Sequence, residues 1–205
     1  MIIAVDGPVA AGKGTLARRI ADIYKLDYLD TGALYRAVGL NLLRAGQNPA
    51  DTAAAMNAAR HVGEIALDDP ALRDEKTGEA ASVVAANEGV RAELLQYQRD
   101  FAKREKGAVL DGRDVGTVVC PDADVKLFVT ASAEIRARRR FEELTAKGVK
   151  TNFDAVLDDL LARDARDTGR GAAPLKKADD AHLLDTSKLD IEAAVNAACK
   201  IIDAA

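Results

Sequence analysis

The sequence predicts an α/β fold, a parallel sheet with helices covering both faces. Two observations predict it. The runs "IIAV", "GAVLD" and "VKLFVT" are short, apolar and bounded by turn residues, the pattern of strands buried on both faces of a sheet. Segments with helical spacing of apolar residues lie between them, and strands that alternate with helices build parallel sheets.

The first strand is expected at residues 2–5, with a helix over about 13–25 after it. A weaker run, "LDYLD", fits a strand near 27–29, followed by a helix over 32–45. From 46 to 106 the chain carries helical segments, at 51–66 and 79–105, and no convincing strand. That stretch reads as an excursion from the sheet, with joints at Pro49, Pro70 and Gly78. Strands follow at 108–111 and 125–129, then helices at 132–147 and 153–168. A weak strand in "AHLLD", near 182–184, and a helix over 190–204 complete the order.

At 205 residues the chain fits a single domain with a proper core. The net charge of −4 supplies no basic field for nucleic acid or an anionic membrane. Aromatic residues at 4% also argue against stacking on bases. No apolar run reaches membrane-spanning length, and "MIIAVDGP" lacks the basic flank of a targeting segment. Cys120 and Cys199 are far apart and lack metal-ligand spacing. The expectation is a cytoplasmic protein without nucleic-acid or membrane partners.

"GPVAAGKGT" places Gly7, Gly12 and Lys13 in a Gly-x-x-x-x-Gly-Lys pattern between a predicted strand and a predicted helix. That context is what a phosphate loop requires. Glycines let backbone N–H groups turn around an anion, and the helix adds its positive end. Gly7, Pro8, Val9, Ala10, Ala11, Gly12, Lys13, Gly14 and Thr15 are therefore expected to bind a nucleotide's phosphates, ATP by the resemblance given below, the alternative being a glycine-rich turn with no ligand. Gly14 stands where Ser or Thr commonly follows the lysine. This Gly-Lys-Gly-Thr form resembles nucleoside monophosphate kinases, which implies that the Thr15 hydroxyl lies near magnesium.

Three further clusters carry charge. In "LDTGALYR", Thr31 and Gly32 open a helix at a strand's end, with Tyr35 and Arg36 one turn in. Ligands of open α/β sheets sit at such ends, so Arg36 suits a second phosphate; read alone, the cluster is equally a capped helix with a solvated arginine. In "VLDGRDVGTVV", Asp111 ends a strand, the usual place for a magnesium-water ligand. Arg113 and Asp114 follow with charge of both signs, although "DGRD" is also a plain surface turn. In "RDARDTGRGAAP", Arg163, Arg166, Asp167 and Arg170 fall within a helical arc of roughly 100°. In "EIRARRRFEE", Arg136, Arg139 and Arg140 share a face and Arg138 points away. Such helices suit a lid over transferring phosphoryl groups, or solvated faces with partners such as Arg163–Asp167 and Arg139–Glu143. His61, His182 and Cys120 are assigned no role, and no Ser-His-Asp pattern is present.

Together with "EAASVVAANEGVRAELLQYQR", these motifs resemble bacterial cytidylate kinases over nearly the whole chain. The resemblance implies a P-loop fold with three layers and a five-stranded parallel sheet. It implies a core at 1–45, 106–135 and 171–205, a nucleotide-monophosphate segment at about 46–105 and a lid at about 136–170. The activity implied is transfer of the ATP γ-phosphate to CMP or dCMP, with Mg²⁺ at Thr15 and Asp111, by a monomer. Ser82, Arg91 and Asp114 would read cytosine. Thr31, where a serine is common, would border that pocket beside Tyr35. Arg36 and Arg113 would hold the CMP phosphate, and Arg163 and Asp167 the ribose. Lys13, Arg166 and Arg170 would serve the transferring group. "HVGEIALDDPALRDEKTG" is shorter than in longer family members and leaves open how that side closes. Rival readings are a kinase of the same fold for UMP, AMP or shikimate, or a nucleotide-dependent regulator.

Overall fold

A computed structural model of the chain describes residues 1–64 and 66–205, which form two compact units, residues 1–28 with 104–205 and residues 29–103. The sheet has five strands: β1 (Ile2–Asp6), β2 (Asp27–Asp30), β3 (Ala108–Gly112), β4 (Val125–Thr130) and β5 (His182–Asp185). Their order is β2-β3-β1-β4-β5. β1 is central and pairs in parallel with β3 and β4, matching Asp6 with Gly112 on one side and with Phe128 on the other. All five strands lie where the apolar runs placed them.

In the first unit, Ile3, Val5, Val109, Leu127 and Val129 are fully or almost fully buried. Helices α1 (Lys13–Tyr24) and α8 (Ile191–Ile202) lay Leu16, Ile20, Val195 and Ala198 into the same core. Burial on both faces is why the strand sequences run apolar without alternation. Helices α6 (Ala133–Ala146) and α7 (Phe153–Gly169) pair through a small core of Ala137, Val156 and Leu160. Phe141 and Phe153 meet there edge to face, with ring centroids 6.5 Å apart. Val9 and Ala10 of the glycine-rich loop pack against this core.

In the second unit, α2 (Thr31–Arg44) packs on α4 (Glu75–Val84), and α3 (Thr52–Arg60) packs on α5 (Glu88–Ala102). The helix expected over 79–105 is thus two helices. Asn87 breaks it because its side chain accepts from Gly89 N and Val90 N, capping a new start. The helix expected over 51–66 stops at Arg60, and a 3₁₀ turn covers Val62–Glu64; residue 65 lies outside the described residues. "VGTVV", Val115–Val119, forms a π-helical turn that the sequence did not predict. Among the described residues no helix is long and apolar enough to cross a membrane.

Candidate active site

The loop after β1 owes its shape to sequence. Gly7 has φ +150°, and a Cβ there would lie 1.9 Å from the Val129 carbonyl oxygen. Ala10 (φ 59°) and Gly12 (φ 86°) are left-handed, which curls the backbone as an anion-binding nest does. Gly12 is also the N-cap of α1 and carries no side-chain acceptor, so an anion suits the N–H groups of the first turn. Lys13 is buried and donates to the Pro8 carbonyl at 2.9 Å. Its Nζ lies 4.0 Å from Asp111 Oδ1.

Asp111, at the end of β3, is buried and accepts from the Tyr28 hydroxyl at 3.5 Å. A Cβ on Gly14 would come 3.2 Å from Asp111 Oδ2. Glycine at position 14 thus leaves the carboxylate room that a side chain there would crowd. Thr15 is exposed in the first turn of α1. Among the described residues no group of three or more His, Cys, Asp or Glu side chains is placed to hold a metal. One carboxylate and one hydroxyl beside a phosphate cradle fit Mg²⁺, which keeps water and phosphate oxygens as most of its ligands.

Beyond the loop lies a cavity of about 260 Å³, lined by Gly12, Thr15, Val129, Arg139, Thr186 and Ile191 among others. Arg139 crosses to it from α6 and donates to Thr186 O at 2.7 Å and Thr186 Oγ1 at 3.1 Å. Its neighbour Arg136 points inward, buried, and donates to Ala131 O, Val9 O and Asp164 Oδ2. The shared helical face therefore splits between a cavity wall and a tether. Arg138 lies over the Phe153 ring, 4.8 Å from its centroid. Glu143 pairs with Arg140 and Lys147, and not with Arg139 as its spacing suggested.

The turn after β3 faces the end of α7. Arg113 Nε donates to Asp167 Oδ2 at 2.8 Å, and Arg170 Nη2 donates to Asp114 Oδ1 at 3.4 Å. Arg170 also donates to Ala173 O. Arg163 pairs at 3.9 Å with Asp159, while Asp167 accepts from Arg113. Arg166 is exposed and its Nε donates to Ala162 O. In the second unit, Asp30 caps α2 through Ala33 N and pairs with Arg36 at 3.2 Å. Arg91 lies over the Tyr35 ring, 5.5 Å from its centroid. Thr31 is buried, and Ser82 is half-buried on α4.

Sequence reasoning missed Asp6. This buried acid ends β1 and accepts from Val115 N at 2.8 Å and Gly116 N at 2.7 Å. Burial pushes its pKa up to about 6, and the Asp114 charge adds to the rise. The two N–H bonds and Lys13 oppose that shift. An acid inside an apolar strand, "IIAVD", was the available signal.

The family described as Cytidylate kinase matches residues 3–204. Cytidylate kinases of Xanthobacter autotrophicus and Azorhizobium caulinodans are each 58% identical to the chain, with 100% of this chain and 98% and 99% of theirs covered. That of Methylocella silvestris is 57% identical over 100% of this chain and 95% of its own. Among solved structures, a shikimate kinase from Bacteroides thetaiotaomicron is similar with a TM-score of 0.54 at 14% identity, over 99% of this chain and 98% of its own. That last likeness concerns the fold alone. Full-length agreement above half identity leaves no ambiguity of family: the chain belongs to the cytidylate kinases.

Proposed function

We propose that the chain transfers the γ-phosphate of ATP to CMP or dCMP. The observation that carries the site assignment is the register of β1 with β3. Asp6 and Gly112 are paired Cα positions on adjacent strands. The phosphate loop begins one residue after Asp6, and Arg113 and Asp114 follow Gly112 directly. Donor cradle and acceptor reader thus leave neighbouring strands at the same level.

In this reading the triphosphate lies along Gly7–Thr15, and the adenine takes the cavity beside Arg139 and Thr186. Lys13, anchored by Pro8 O, supplies a point charge to the outer phosphates. Thr15 and Asp111 would hold Mg²⁺, which would supply positive charge to the donor phosphates. Arg36 and Arg113 hold the CMP phosphate, and Arg163 and Asp167 take the ribose. The proposed readers of cytosine are Asp114, Ser82 and Arg91, and Thr31 and Tyr35 are the further substrate residues that the family resemblance implies. Cytosine presents an N4 amine donor, which suits the Asp114 carboxylate; UMP presents an O4 acceptor there, and a buried mismatch of that kind discriminates strongly.

The acceptor phosphate is already anionic at neutral pH, so the reaction needs no strong general base. Catalysis comes from positioning and from charge on Lys13, Arg166 and Arg170. Arg170 is held by Asp114; a cytosine amine on Asp114 shares that carboxylate and turns the guanidinium to the transferring group. Helices α6 and α7 form the lid that keeps water from the phosphoryl group. The enzyme works as a cytoplasmic monomer.

An ADP-release assay with CMP, dCMP, UMP and AMP tests the reading. Turnover with CMP and dCMP well above UMP and AMP is expected. Slow ATP hydrolysis indifferent to every monophosphate would favour the regulator and overturn it.

A further inference from the structure

We propose that Asp6 is a positioning residue for pyrimidine choice: it caps the turn after β3 in place of Asp114, so that the Asp114 carboxylate is turned to the substrate. The inference rests on the reading of Asp114 given above. The π-helical turn Val115–Val119 begins with N–H groups that have no acceptor within the turn. The residue at its N-cap is Asp114, a type that normally supplies the capping oxygen. Its side chain makes no cap bond. The two oxygens of Asp6, reaching from β1, take the N–H groups of Val115 and Gly116 instead, at 2.8 and 2.7 Å. Asp114 contributes its carbonyl, which accepts from Val118 N and Val119 N, while its carboxylate meets Arg170.

The fit around Asp6 leaves the turn little freedom. A Cβ on Gly116 would come 3.2 Å from Lys126 Cδ and 3.4 Å from Asp6 Oδ2, so the turn is clasped between β1 and the stem of a buried lysine on β4. Only a carboxylate matches two converging N–H donors; an amide has one acceptor oxygen and sets its NH₂ against the second donor. Asp6 is also the residue immediately before Gly7. One side chain therefore fixes the turn that bears Arg113 and Asp114 to the strand that bears the phosphate loop.

The test is steady-state kinetics of D6N, D6S and D114A with CMP and UMP, with folding followed by circular dichroism. We expect D6N to lower the ratio of kcat/KM for CMP over UMP by about tenfold or more, with the KM for ATP within about twofold of wild type. D6S keeps one acceptor in a smaller side chain and should act in the same direction. D6N/D114A should discriminate no worse than D114A alone, because both changes act through one carboxylate. Equal losses with CMP and UMP, or a parallel rise in the KM for ATP, would reduce Asp6 to a fold-holding residue and overturn the inference. Unfolding of both Asp6 variants would overturn it too. If D114A leaves the ratio unchanged, the base-reading assignment itself has failed; if D114A lowers it and D6N does not, only the role of Asp6 has.

Discussion

Arg113 donates from Nε to Asp167 Oδ2 at 2.8 Å, joining the turn after β3 to helix α7. Both side chains are about one-fifth exposed, 22% and 18%, so the pair is shielded more than a surface bridge. Arg113 has further N–H groups besides Nε, and a guanidinium serves a carboxylate and a phosphate at once where an ammonium offers one point of charge. Arg113→Lys should therefore raise the KM for CMP about tenfold or more, with the KM for ATP nearly unchanged. Asp167→Asn should raise it less, since the shape survives and the charge does not. Kinetics with each substrate varied in turn checks this; a wild-type KM for CMP in Arg113→Lys would refute it.

Arg136 has a different task from the one its helical face suggested. It joins the Val9 carbonyl of the phosphate loop to Asp164 of α7 at 2.6 Å, and the second Asp164 oxygen is buried without a hydrogen-bond partner among the described residues. Removing the guanidinium leaves a poorly solvated carboxylate, so Arg136→Ala should cost about 2–4 kcal/mol of stability. Arg138→Ala loses an exposed contact over Phe153, worth about 0.5–1 kcal/mol. Urea unfolding of both variants compares them, and equal losses would contradict the tether.

The glycine-rich turn after β1 and all five strands were legible because their signals are local, namely glycine spacing and short apolar runs. Asn87 was legible in principle, as a cap residue followed by Glu88 in a first turn. Arg136 and Arg139 were not separable, because periodicity gives a shared face but not the partner: the Val9 carbonyl for one, Thr186 for the other. "VGTVV" has strand composition, and the first two N–H groups of its helical turn are taken by the carboxylate of Asp6, more than a hundred residues earlier in the chain. Pairings between distant segments were what the sequence withheld.

Gly14 tests the phosphate loop from the opposite direction. Gly14→Ser restores the commoner residue after the lysine, so motif frequency alone predicts a neutral change. The packing argues for harm, because the new Cβ would stand 3.2 Å from Asp111 Oδ2 and that carboxylate must give by a few tenths of an ångström beside Lys13. We expect kcat to fall about fivefold or more, with more Mg²⁺ needed for half-maximal rate. Titration of Mg²⁺ at saturating CMP and ATP measures both. Wild-type values would show that Asp111 yields without consequence.

Asp6 also predicts the pH dependence of stability. Its folded pKa, about 6, is raised from 3.8 by burial first, so between those values the folded state binds the proton that the unfolded chain has lost. Stability from this group is full below about pH 3.8 and is lost as pH rises through about 6. Asp180, lowered chiefly by its bond from Lys126, and Asp185, lowered chiefly by the Ser187 hydroxyl, act in the opposite sense. Their stabilisation is present above the unfolded carboxylate range and is lost on acidification, so the raw profile mixes both trends. The difference between wild type and D6N isolates Asp6. Wild type should lose ground against D6N by on the order of 2–3 kcal/mol between pH 4 and pH 7, with little change above that. Denaturant unfolding of both proteins across this range measures the difference; a flat curve, or one rising with pH, would mean that the Asp6 carboxyl is not held above its ordinary range.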